Sequence, residues 1–411
     1  MSEVIATKTL EYIKNLYMQE NYKVNPTCYF YDMSIIRHNI KQLERTMPEQ
    51  VQLYYAMKAN PNDSVMQCMQ QAPFVRGVEI ASCGELEHAL RWYPNDAIIF
   101  TGPGKTDYEL EQAVANNIRF INVESVAEAI RVNAIAERLG RDVVDVLLRI
   151  NLNYCVVDGA EKMSGCSTKM GIDEDEYVES FKFISNLEHI RIKGIHVFAA
   201  CGVLNYRSLL KVDAYIFDLV CKTEKLTGSI DVIDFGGGLG IDYADEDQEF
   251  DVVRYGAKLK NLISQYSLQD KEFIMELGTY LVGNAGYYTA KIIDIKAIKG
   301  KKHIIIAGGV NHMGLPLEMQ RKHPVHITPM NEPKLYADQP RVHEEIADIS
   351  GPLCMVSDKL SWDEYIENAE IGDVVVYRQA GAYCYGEGMH AFLMHPLPDE
   401  LILPKGYGHY E

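Results

Sequence analysis

Val51-Gln52-Leu53-Tyr54-Tyr55-Ala56-Met57-Lys58-Ala59-Asn60 begins as an apolar strand and ends on a lysine. Val51 to Met57 has the apolar, aromatic-rich composition of a buried strand. The polar run Asn60-Pro61-Asn62-Asp63 then turns the chain into a helix starting near Asp63. Strand, short turn and helix make one βα unit, and the pattern repeats. Further strand-like runs fall at Gly77–Ala81, Ala97–Phe100, Arg119–Asn122, Val144–Ile150, Ile192–Val197, Asp231–Asp234 and Glu272–Glu276. Helical patterns intervene at Glu109–Asn116, Ser125–Leu139, Arg207–Leu226 and Val252–Gln265, and Ser125 with Glu128 reads as a capping box. Strands alternating with helices in this number predict an α/β fold, a (β/α)8 barrel. A doubly wound open sheet is the competing fold.

The pattern changes after Tyr280. Strand-like runs at Tyr287–Lys296, His303–Ala307, Val325–Thr328, Glu345–Ser350 and Asp373–Tyr377 are separated by turns containing Gly and Pro. They predict an antiparallel β domain. Thr27–Tyr31, ahead of the helical pattern Ser34–Thr46, is placed to pair into it. The expected organisation is a barrel over residues 33–279 and a β domain built from 1–32 and 280–411.

A net charge of −18 disfavours nucleic acid and anionic membrane as partners, because both repel an acidic surface. Nine cysteines without a CxxC pair suggest reduced thiols and a cytoplasmic protein. No basic-then-apolar leader opens the chain, and no apolar run reaches the length of a membrane span. Several motifs fail. Gly102-Pro103-Gly104-Lys105-Thr106 lacks the first glycine of a P-loop, since Ile99 stands there. Ala347 replaces the second histidine of a zinc-protease motif beginning at His343-Glu344. His323 and His326 have no cysteine or carboxylate cluster around them and read as surface residues, so no metal is expected.

Other motifs hold. A lysine just past a strand stands where barrel enzymes keep their chemistry. Partly desolvated, Lys58 becomes an amine able to form a Schiff base. Asp234-Phe235-Gly236-Gly237-Gly238 follows the seventh strand, where successive glycine amides can surround a phosphate. Glu276 closes the eighth. A carboxylate facing a pyridine nitrogen keeps it protonated and the ring able to accept electrons. Lysine, phosphate cradle and carboxylate together describe pyridoxal 5′-phosphate (PLP).

These residues, in this order, resemble the fold-type III PLP decarboxylases of diaminopimelate, ornithine and arginine. The resemblance covers nearly the whole chain. Its other markers are Glu79-Ile-Ala-Ser-Cys-Gly-Glu85, Leu148-Arg149-Ile150, Lys169-Met-Gly171, Gly351-Pro-Leu-Cys354-Met-Val-Ser-Asp358 and Gly381-Ala-Tyr383. Phe392-Leu-Met-His395-Pro396 and the surroundings of Tyr287-Tyr288 look closest to decarboxylases of siderophore pathways, where the substrate can be a citrate-conjugated amino acid.

The resemblance implies α-decarboxylation of an amino acid or its conjugate, with Lys58 carrying PLP as a Schiff base. Gly236, Gly237, Gly238 and Tyr383 would bind the phosphate and Glu276 the ring nitrogen, while Glu79 and Arg149 support the cofactor and lysine. It further implies a homodimer with shared sites. There Cys354, an apolar-packed thiol, returns the proton, Asp358 meets the substrate's distal polar group, and Tyr383 also lines the substrate site. The chain departs from the family's pattern in four places. Phe198 replaces the ring-stacking histidine, Cys201 a phosphate-binding serine and Thr279 a phosphate-binding arginine. Near Gly314 and Leu315 no cation stands for a substrate carboxylate. Phe198 can still stack on the cofactor, and Cys201 is a weaker phosphate donor. An amino-acid racemase of the same fold and a non-catalytic PLP-binding protein are the alternatives. Glu276 speaks against the racemase.

Overall fold

Residues rich in Val, Ile, Leu and aromatics form eight parallel strands in one closed ring. They are Val51–Ala56, Val75–Ile80, Ile98–Phe100, Phe120–Val123, Val144–Asn151, Ile190–His196, Val232–Asp234 and Glu272–Leu277. Each pairs with the next, and the last pairs with the first through Phe273↔Val51 to Leu277↔Tyr55. Closure removes the open sheet as an alternative. The computed structural model describes residues 5–155, 159–228, 230–243, 248–334 and 336–410. Two compact units emerge. One takes Asn39–Asp242 and the stretch from residue 248 to Tyr280; the other takes the described residues up to His38, Tyr243 and those from Leu281 onward.

Strand periodicity explains what fills the barrel. Tyr54, Ile99, Phe120, Leu147, Val232 and Ile274 form one buried apolar cluster. Two residues further along a strand, a side chain points to the same face. Arg149, Asp234 and Glu276 therefore follow Leu147, Val232 and Ile274 into the interior at the C-terminal rim. Glycines hold the equivalent places on two other strands. A Cβ at Gly77 would meet the Ala97 carbonyl at 2.0 Å, and one at Gly194 the Val232 carbonyl at 1.8 Å. Beyond them stand Glu79 and His196.

Helix starts follow local capping chemistry. Asn62, Ser82 and Asn205 each accept from an amide in the first turn of the helix that follows. The reciprocal capping box is at Thr106 and Glu109, not at Ser125 and Glu128. Ser125 does cap Glu128, but the Glu128 carboxylate turns inward, to the Glu124 amide and to Lys105. Lys105, from the failed P-loop run, is buried on the Gly102 and Asn122 carbonyls and on Glu128.

The second unit is a mostly antiparallel sheet organised by the long strand Gly286–Ile298. Its first half pairs with Thr27–Tyr31 and Val374–Tyr377, and its second half with Lys301–Ile306 across a bulge near Ile292. Two pairings are parallel: Lys301–Ile306 with Arg341–Ser350, and Thr27–Tyr31 with Asp399–Ile402. Long connections make parallel neighbours possible, whereas short turns force antiparallel ones. Lys359–Glu370 and Asp399–Ile402 are strands that the sequence pattern left undetected, because their polar residues alternate over partly exposed surface. The helix Thr7–Tyr17 also escaped it. Its Ile13, Leu16 and Tyr17 pack with Cys28, Phe30, Tyr287, Val374 and Val376.

Candidate active site

Parallel closure brings every strand's C-terminal end to one rim. Lys58 lies there in the turn Met57–Ala59 after the first strand. Its Nζ donates to both carboxylate oxygens of Glu79, at 3.0 and 2.8 Å. Glu79 is wholly buried, while the lysine side chain is 43% exposed. The amine is therefore reachable from outside, yet held in a fixed position.

Arg149, on the fifth strand, is buried with its Nη1 2.6 Å from Glu124 Oε1. Glu124 also accepts the amides of Gly102 and Gly171, at 3.1 and 2.9 Å. It thus joins the ends of the third, fourth and fifth strands around Arg149. Sequence reasoning missed Glu124. Its signal was the two-residue alternation that runs from Phe120 through Asn122 to the rim.

On the opposite arc, the pairings Arg149↔His196 and His196↔Asp234 set three polar side chains on adjacent strands. His196 Nε2 lies 3.4 Å from Glu276 Oε2. Ligand atoms of His196, Asp234 and Glu276 all lie within 4.8 Å of one another, and all three residues are buried. Burial raises the Asp234 carboxyl well above the ordinary carboxylate range, and the charge of Glu276 adds to this. Burial also pushes Glu276 upward, but His196 and Lys58 outweigh it and hold Glu276 below that range. Asp234 was assigned no role from sequence. His196 stands beside Glu276, two residues before Phe198.

The turn after the seventh strand is locked by its own backbone. Gly236 and Gly238 have φ of 64° and 90°, conformations that side chains rarely adopt. A Cβ at Gly237 would lie 2.1 Å from the Glu276 carbonyl. The Gly236 amide donates to Asp234 Oδ1, and Glu276 donates its amide to the Gly236 carbonyl. Among the described residues none accepts from the amides of Gly237 and Gly238. Phe198 is half-buried and packs against Gly236: a Cβ added there would meet its ring at 2.8 Å. Cys201 belongs to a short strand paired with Glu161–Lys162, its Sγ 3.8 Å from Glu161 Oε2. Thr279 opens a one-turn helix directly after the eighth strand.

These features fit PLP. Two consecutive amides without acceptors suit a phosphate. Glu276 Oε1 is buried without a hydrogen-bond partner and suits a ring nitrogen. Lys58 supplies the amine.

Three further sequence-assigned residues belong to the β unit. Cys354 is exposed on the single chain. Asp358 is buried, and its two oxygens accept the amides of Val310 and Leu353, at 2.8 and 2.7 Å. It fastens the loop that carries Cys354. Tyr383 is partly exposed and has a φ of 63°, a strained conformation for a tyrosine. His323 is buried and not on the surface; its Nδ1 lies 3.2 Å from the Arg378 carbonyl. His326 is half-buried.

Residues 33–283 match the model of the pyridoxal-dependent decarboxylase, pyridoxal binding domain. The chain is 32% identical over 385 residues to the Staphylococcus aureus 2-[(L-alanin-3-ylcarbamoyl)methyl]-2-hydroxybutanedioate decarboxylase, covering 93% of this chain and 95% of that one. It is 30% identical to the diaminopimelate decarboxylase of Aquifex aeolicus, covering 92% and 86%. The diaminopimelate decarboxylase of M. jannaschii in complex with L-lysine shares the architecture, with a TM-score of 0.80 at 25% identity over 92% of this chain and 87% of that one. The barrel match, and identity sustained across both units, mean that the chain belongs to the pyridoxal-dependent decarboxylases, lyases that use PLP.

Proposed function

We propose that this decarboxylase removes the α-carboxylate of an amino acid joined through an amide to a carboxylate-bearing group. The observation that carries the catalytic reading is the rim itself. There an exposed lysine amine rests on buried Glu79, and the adjoining eighth strand and the turn after the seventh bring a buried carboxylate and two glycine amides that meet no acceptor among the described residues. Support for the conjugated substrate is the 32% identity to an enzyme named for an alanyl group linked through a carbamoyl to a hydroxybutanedioate. The lack of a cation at Gly314 and Leu315 also fits a substrate unlike a free amino acid.

In this reading Lys58 Nζ would hold the cofactor. The amides of Gly237 and Gly238 would hold the phosphate, and Glu276 the ring nitrogen. When bound, PLP supplies the sink for the electrons that CO2 leaves behind. Glu79 fixes the amine, and Glu124 fixes Arg149 at the rim. Cys354 Sγ returns a proton to the α-carbon. Its exposure, and that of Val356 at 91%, support a homodimer in which the loop of one subunit completes the site of the other. Asp358 then acts first by shaping that loop. No helix among the described residues is long and apolar enough to cross a membrane. No disulfide joins the cysteines of the described residues, which supports a cytoplasmic enzyme.

The test is CO2 release by protein purified with PLP from diaminopimelate, ornithine, lysine, arginine and citryl-diaminopropionate. Release from the conjugate at a kcat/KM well above the others is expected. Preference for a free diamino acid would overturn the substrate assignment. Inverted substrate without CO2 would overturn the reaction.

A further inference from the structure

Deepening the proposed function and resting on it, one residue beside Glu276 acquires a role. Asp234 and Glu276 are buried within 4.8 Å of each other, and each has an oxygen that meets no donor. Two ionised carboxylates so placed repel each other, and a buried oxygen without a donor is costly. One proton removes both difficulties. The surroundings decide where it resides. Glu276 faces the imidazole of His196 at 3.4 Å and feels the charge of Lys58. Among the described residues only the Gly236 amide donates to Asp234, on Oδ1, and Asp234 feels the negative charges of Glu276 and Glu79. Arg149 adjoins His196 on the next strand, and Glu124 already neutralises it.

We propose that Asp234 is a positioning residue: it carries the one proton that the pair shares, so that Glu276 alone meets the cofactor's ring nitrogen as a carboxylate. A protonated Asp234 donates toward the pair and fixes the Glu276 oxygens. His196 keeps Glu276 charged from the other side. An ionised Asp234 would set a second negative charge against the same nitrogen and compete for its proton.

Carbon-13 NMR of full-length protein labelled at the aspartate carboxyls tests this with and without PLP. At neutral pH one resonance keeps the shift of a protonated acid and disappears in D234N. Asp213, the other strongly perturbed buried aspartate, is identified by D213N. Finding every other aspartate ionised at neutral pH overturns the proposal, whether or not PLP binds. PLP titration supplies a second readout. D234N, neutral but still able to donate, keeps the Kd for PLP within about threefold of wild type, and D234A weakens it about tenfold or more. Equal losses in the two variants overturn the proposal. A wild-type protein that takes no PLP at Lys58 defeats the proposed function instead, and leaves the NMR result to stand by itself.

Discussion

Both oxygens of the Glu79 carboxylate lie within 3.0 Å of Lys58 Nζ. The lysine therefore has two separable jobs: neutralising a buried carboxylate, and offering its amine to the cofactor. Lys58→Arg keeps the charge but forms no Schiff base. It is expected to keep the wild-type melting temperature and to lose the visible absorbance of the lysine–PLP linkage. Lys58→Ala loses both. It leaves Glu79 uncompensated at a cost of about 1–3 kcal/mol, reduced from the fully buried case because the lysine is partly solvated. Visible absorbance retained in either variant would place the linkage on another residue.

Arg149 and Glu124 make the corresponding pair with both partners buried. Removing one member of such a pair costs about 3–5 kcal/mol, because the other charge stays buried. Urea unfolding should find Glu124→Ala destabilised by that amount and R149M/E124L less so than either single change. Additive losses in the double variant would mean that the two side chains are not coupled.

Cys354 and Asp358 belong to one loop but do different work. Cys354→Ala should slow turnover about 100-fold or more while leaving the Kd for PLP within about twofold. Asp358→Asn keeps its shape but weakens the grip on the Val310 and Leu353 amides. It should lower kcat with a smaller change in KM. An unchanged kcat in Cys354→Ala removes this thiol as the proton donor.

Asp213 is a stability site away from the rim. It is buried between the helices Tyr206–Thr227 and Val252–Gln265 and accepts from the Tyr255 hydroxyl at 2.9 Å. Burial lifts its carboxyl from 3.8 to about 7. The folded chain then holds this proton more tightly than the unfolded chain. Stability falls as pH rises between those two values and stays low above them. Asp213→Asn is expected to melt higher than wild type at about pH 8, with the gap closing toward about pH 5. Thermal unfolding across that range decides it: a pH-independent difference would show that Asp213 does not titrate there.

Local chemistry determined much of this protein. Apolar runs and the polar turns after them located the eight strands, since periodicity and turn composition are properties of neighbouring residues. Lys58, Gly236–Gly238 and Glu276 were legible for the same reason, each being tied to a strand end. Tertiary structure decided what those neighbours could not. The Lys105 ammonium lies inside because Glu128 and two carbonyls receive it, which its run of glycine, proline and threonine does not disclose. Asp358 fastens its own loop because amides 48 and 5 residues away converge on it. Glu124, His196 and Asp234 gained their place only when barrel closure set the strand ends side by side. Electrostatic partnership depends on distance in space, and the order of residues along the chain does not contain it.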